Sequence, residues 1–300
     1  MGKIALVFSG QGAQYPGMGK EIAEASAAAK AVFDICDSVR PGTSAQCFEG
    51  TAEELSVTIN TQPCVFACDL AAARAVEEKG VKVDCAAGFS LGEIAALAFS
   101  GILSDEEAFK LVCERGKLMD KAAKANPGAM LAVMKLPADK IEEVCARFES
   151  TYPVNYNSPA QTVIATKSEN AEALIEAFSD IRGRAKQLAV SGAFHSPFMS
   201  EAADGLMEYM NNVEFSQPKL PIYSNYTAKP YEGDFKSLVK AQVESPVRWQ
   251  TIIENMTADG VDTFIEVGVG KTLTGLIKRI APDAKAIKVE NLSDLEALDI

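Results

Sequence analysis

Three hundred residues, 48% of them hydrophobic and 23% charged, are enough for one large domain carrying an insertion, or for two domains. A formal net charge of −12 excludes nucleic acid as a main partner, since phosphate binding needs a basic field, and no apolar run approaches the length of a membrane span. Seven cysteines without a Cys-x-x-Cys pair, together with a single histidine, argue for buried reduced thiols in a cytoplasmic protein and against a metal site.

In chain order, Lys3–Phe8 reads as a buried strand and Ser9–Gln14 as the loop after it. The apolar run is too short for the core of a secretory leader, so none is expected. Residues Glu21–Cys36 are Ala-rich and predicted helical. Pro63 is placed at the first position of a helix that runs to Lys79 and stops at Gly80. Val81–Ala87 is a second apolar strand, leading into Gly88-Phe-Ser-Leu-Gly92 and a helix over Glu93–Phe99. Strand, sharp turn and helix form the setting that a Gly-x-Ser-x-Gly nucleophile elbow requires. Ser104 and Glu107 have the spacing of a capping box, and the helix they start should reach about Ala123. Its apolar stripe is Ala108, Leu111, Val112, Leu118, Met119 and Ala122. Arg115 falls inside that stripe. A guanidinium cannot shed its proton, so on an inner face it must meet an anion or several carbonyls.

From Asn126 the pattern changes. Strand Ala129–Leu136, helix Ala138–Phe148, strands Val154–Asn157 and Thr162–Thr166, helix Glu169–Phe178 and strand Ala185–Val190 follow in turn. This βαββαβ order is ferredoxin-like. The expected fold is therefore α/β: a hydrolase-like, mostly parallel sheet with helices over 1–125 and 195–300, and a small inserted subdomain over 126–194. The chain re-enters the larger part at Ser191–Ser196, then forms a helix over Ser200–Asn212 and strands at Pro221–Asn225 and Thr263–Val267. A final helix runs to Ile280.

Two features carry chemistry. Ser90 sits at the elbow, and His195 is the only imidazole able to serve it as a base. A serine attack on a carbonyl also needs donors for the oxyanion: the Leu91 amide supplies one, and Gln11 in the loop after the first strand is the candidate for the second. Two rival motifs fail. Gly270-Lys-Thr272 lacks the earlier glycine of a phosphate loop, that position being Ile265, and Gly10-Gln-Gly12 lacks the third glycine of a dinucleotide fingerprint, that position being Tyr15.

The chain resembles the malonyl-CoA:acyl-carrier-protein transacylases of type II fatty acid synthesis along nearly its whole length. The matching segments are Gly10-Gln-Gly-Ala-Gln14, Thr61-Gln-Pro63, Gly88-Phe-Ser-Leu-Gly-Glu93, Arg115-Gly116 and Asn155-Tyr-Asn-Ser-Pro159. Further on come Gly192-Ala-Phe-His-Ser196, Pro246-Val-Arg-Trp249 and Glu266-Val-Gly-Val-Gly-Lys271. The resemblance implies an [acyl-carrier-protein] S-malonyltransferase working by ping-pong transfer through a malonyl-Ser90 ester. Malonyl-CoA is its substrate, with no bound cofactor, and the phosphopantetheine thiol of acyl carrier protein is its acceptor. It makes His195 the base, Gln11 and Leu91 the oxyanion hole and Arg115 the clamp for the malonyl carboxylate. Phe194 becomes a wall against branched acyl groups, and the backbone carbonyl of Arg248 orients the histidine. Two positions depart from the pattern: Phe89 stands where the family usually has His, and Val269 where it usually has Pro. The rival reading is a serine hydrolase of small acyl thioesters, which would share the elbow and the oxyanion hole but have no need of Arg115.

Overall fold

The structure, a computed structural model, describes residues 2–190 and 192–299; Ser191 of the expected re-entry segment lies outside the described residues. Among the described residues the nine strands are β1 (Lys3–Phe8), β2 (Cys85–Gly88), β3 (Gly128–Met134), β4 (Tyr152–Ser158), β5 (Gln161–Lys167), β6 (Arg184–Gln187), β7 (Ile222–Tyr223), β8 (Val261–Val267) and β9 (Lys285–Val289). They form two sheets. One has the order β7-β2-β1-β8-β9, with every pairing parallel; the other has the order β4-β5-β3-β6, with every pairing antiparallel.

In the parallel sheet β1 is central, and both of its faces are buried. Leu6 and Phe8 enter one core, while Ala5 and Val7 enter the other beside Trp249, Ile253 and Phe264. A strand covered on both faces needs a continuous apolar run, which is why Ala5–Phe8 does not alternate. The loops after β1, β2 and β8 leave the same edge of the sheet, and β1 lies between β2 and β8. Such a point, where the strand order reverses, leaves a crevice at the carboxyl ends.

The antiparallel sheet has the ferredoxin-like order. Leu131, Val133 and Ile164 on one face pack against the helices Ala138–Cys145 and Ala171–Asp180. Met130, Ala132, Val163 and Ala165 on the other face join the core shared with the larger part. The small sheet thus roofs the crevice of the large one.

Several boundaries differ from the expectations. The Glu21–Cys36 helix is two helices, Lys20–Ala25 and Ala27–Val39, broken at Ser26, whose hydroxyl caps the second. The helix expected to start at Pro63 spans Thr58–Glu78 with Pro63 inside it. Its first turn is held by the Thr61 hydroxyl, which donates to the Leu55 and Val57 carbonyls. Strand β6 ends at Gln187, and β2 begins only at Cys85, where pairing with β1 starts. Helices Phe235–Glu244 and Trp249–Ala258 and the edge strand β9 add to the expected elements. Among the described residues no helix is long and apolar enough to cross a membrane.

Candidate active site

The elbow depends on two glycines with no room for a side chain. A Cβ on Gly88 would lie 1.9 Å from the Gly92 carbonyl carbon, and one on Gly92 would lie 2.4 Å from the Phe8 and Ser9 oxygens. Between them Ser90 takes φ 54° and ψ −112°, a conformation that L residues rarely adopt. His195 is also in the left-handed region, with φ 60°. Both strained residues present their side chains to one chamber of about 100 Å³, lined also by Gln11, Leu91, Arg115 and Phe194.

Ser90 Oγ and His195 Nε2 are 2.8 Å apart, and His195 Nδ1 is 2.8 Å from the Gln242 carbonyl oxygen. A carbonyl only accepts, so Nδ1 carries the proton and Nε2 is left to receive the serine's. The histidine is buried, and its pKa is pushed down to about 3, first by desolvation and then by the Arg115 cation. It is therefore neutral, as a base must be.

The orienting carbonyl belongs to Gln242, not to Arg248 as the resemblance implied. Gln242 lies in the last turn of the Phe235–Glu244 helix, and the residue four positions on is Pro246, which has no N–H to offer. Its carbonyl is free for the imidazole. The Arg248 carbonyl is taken by the Ile252 amide in the next helix, and the Arg248 amide donates to Asn225 O.

Arg115 is buried in the chamber and meets no carboxylate there. Nη1 donates to Gln62 Oε1 (2.6 Å), Nη2 donates to Gln242 Oε1 (3.0 Å) and to Ser90 Oγ (3.3 Å), and Nε has no partner. Burial lowers its pKa to about 10, which still leaves it charged at neutral pH. Glu93, the nearby acid that favours its charge, is engaged elsewhere: it accepts from the Asn225 amide (2.6 Å) and from the Tyr231 hydroxyl. Burial pushes the Glu93 carboxyl up to about 7.

Sequence reasoning assigns no role to three supporting residues. Gln242 touches the whole constellation, because its Nε2 also donates to Ser90 O (2.6 Å). Asn225 Oδ1 accepts from the Ser90 amide (2.8 Å), and its Nδ2 donates to Gly88 O (2.6 Å). Gln62 holds the far side of Arg115. A signal for Gln242 existed: it interrupts the stripe Phe235, Val239 and Val243 as Arg115 interrupts its own.

A second cavity of about 230 Å³ opens beside the chamber and shares Gln11, Phe89, Asn155 and Leu188 with it. The small sheet supplies Asn155 and Asn157 to its wall; both are buried, and their Oδ1 atoms lack a partner. Among the described residues no three His, Cys, Asp or Glu side chains gather as a metal-ligand set.

Comparison with known proteins agrees with this geometry. The model of the acyl transferase domain matches residues 5–293. The malonyl CoA-acyl carrier protein transacylase of Bacillus subtilis is 38% identical over 304 residues, covering 99% of this chain and 96% of the relative. The crystal structure of the Clostridium perfringens malonyl CoA-acyl carrier protein transacylase superposes with a TM-score of 0.94 at 34% identity, covering 98% of this chain and 95% of that one. A malonyl-transacylase in complex with its type II PKS acyl-carrier protein gives a TM-score of 0.94 at 35% identity, covering 98% of each chain. The chain belongs to the acyl transferase family, among the malonyl CoA-acyl carrier protein transacylases.

Proposed function

We propose that this chain moves a malonyl group from coenzyme A to the phosphopantetheine thiol of an acyl carrier protein, through an ester on Ser90. One observation carries the reading: a buried guanidinium, 3.3 Å from the nucleophile, has only neutral hydrogen-bond partners. A buried cation with no anion in hydrogen-bond contact is costly, and a substrate carboxylate offsets that cost with the planar, forked geometry guanidinium prefers.

In the first half-reaction Ser90 Oγ attacks the thioester carbonyl and gives its proton to His195 Nε2. The tetrahedral oxyanion is held by the Leu91 amide and Gln11, each such donor being worth about 3 kcal/mol. Collapse expels the coenzyme A sulfur, which takes the proton back from Nε2. In the second half the carrier thiol gives its proton to Nε2 and attacks the ester, and Ser90 Oγ leaves and recovers that proton. These steps use only groups of the chain. Because the Arg115 cation is one cause of the histidine's low pKa, a malonyl carboxylate paired with Arg115 strengthens the base it is about to need.

The outer cavity suits a pantetheine arm. Its apolar lining, Leu188, Val269 and Leu276, suits the methylenes, and the side-chain amides of Asn155 and Asn157 on the same wall suit the amides of the arm. Phe194 on the chamber wall is the residue that would select against an α-branched acyl group. The acceptor assignment is supported by the related transacylase solved with its carrier protein, and the site of action is the cytoplasm. Hydrolysis of small thioesters is the less favoured reading, since it gives Arg115 no task. Incubation with malonyl-CoA should add one malonyl mass to the wild type and none to Ser90→Ala, and holo carrier protein should discharge it as malonyl-carrier. Free malonate as the main product would reverse the choice.

A further inference from the structure

The chamber and the outer cavity meet at Gln11, Phe89, Asn155 and Leu188, so any sulfur that reaches Ser90 from the outer cavity passes this throat. Phe89 directly precedes the nucleophile, and the same elbow fixes its backbone. Its ring stands edge-on to Trp249, with centroids 5.5 Å apart and planes at 63°. On the other side its Cδ1 would lie 3.1 Å from a Cβ built on Gly10, the residue before Gln11. The ring is thus wedged between the Trp249–Ala258 helix and the Gln11 loop. It offers no hydrogen-bonding group, and the buried Trp249 Nε1–H has no partner either.

A malonyl-serine ester faces two nucleophiles, a thiol and water. In hydrolysis the water oxygen attacks the ester carbonyl carbon, His195 Nε2 takes one water proton, Ser90 Oγ leaves with that proton, and malonate is released. A water held in such a space needs two to four polar partners. We propose that Phe89 decides between the two nucleophiles: its ring fills one side of the throat and denies water its partners there, while a pantetheine stem slides along the same apolar surface. The inference rests on the malonyl-Ser90 reading above.

The test loads wild type, Phe89→Ala, Phe89→His and Phe89→Leu with malonyl-CoA and checks the adduct by intact mass. Loss of the adduct is then followed with pantetheine as a soluble thiol, and free malonate and malonyl-pantetheine are both measured. The ratio of hydrolysis to transfer should rise about tenfold in Phe89→Ala and about threefold in Phe89→His, and stay within about twofold in Phe89→Leu. Should Phe89→Ala not fold, Phe89→His, which keeps a ring of similar size, decides alone. A merely structural ring would lower the melting temperature and leave the ratio alone. Equal ratios across the loaded proteins overturn the role of Phe89 and leave the ester reading intact. Absence of any adduct on the wild type overturns both.

Discussion

The inner chamber and the outer cavity share walls but are built in opposite ways. In the chamber the reacting groups are already bonded to one another: Ser90 to His195, His195 to Gln242, and Arg115 to Gln62 and Gln242. The outer cavity is lined by Asn155 and Asn157 of β4, whose Oδ1 atoms are buried without partners. The chamber's proton-transfer groups all come from the larger part of the chain, whereas the outer cavity is closed by the small sheet. Proton transfer demands geometry set before substrate arrives, while binding is completed by the ligand's own donors.

That contrast breaks if substitutions in the two regions have similar effects. The largest loss is expected from His195→Ala, which should lower the acylation rate by about 10⁴-fold, measured as single-turnover adduct formation. Arg115→Ala should lower kcat/KM for malonyl-CoA by about 10²- to 10³-fold while sparing acetyl-CoA, because only the former brings a carboxylate. An unchanged malonyl-to-acetyl preference would remove the clamp. Asn157→Ala, confined to the outer cavity, should raise KM for malonyl-CoA and for holo carrier protein by about fivefold with little change in kcat. A fall in kcat of the same size would place Asn157 with the chamber.

The smallest effect is a pH response that should be missing. With the free histidine held at about 3 by burial and by Arg115, kcat/KM should show no imidazole limb between pH 8 and pH 5. Stability carries the sign of the same shift. Below about pH 6.5 the unfolded chain binds the histidine proton and the folded chain does not, so acid removes folded-state stability. Glu93, raised to about 7, acts in the opposite direction, because its protonation as the pH falls favours the folded state. Urea midpoints of wild type and His195→Gln at pH 7 and pH 5 isolate the histidine part: the wild type should lose more.

Much of this was legible in the residues. The run Lys3–Phe8 matched its strand at both ends, and the Ser104 cap placed the helix that carries Arg115. Ser90, His195, Gln11, Leu91, Arg115 and Phe194 all line the one chamber. Local periodicity and motif spacing act within a few residues, so they can mark an elbow, a capped helix or a charge on an inner face. They say nothing of which distant carbonyl an imidazole will meet. Assigning that partner to Arg248 failed because two neighbouring helices compete for their own terminal carbonyls, and Pro246 leaves Gln242 as the free one. The joining of Gln62, Asn225 and Gln242 around Arg115 and Ser90, and the cavity between the two sheets, arise only once segments 53 to 152 residues apart are packed together. Sequence alone determined the reactive groups, because their chemistry is intrinsic to their types and local settings. Tertiary structure alone decided their partners, because those bonds depend on which backbone groups the packed helices leave unsatisfied.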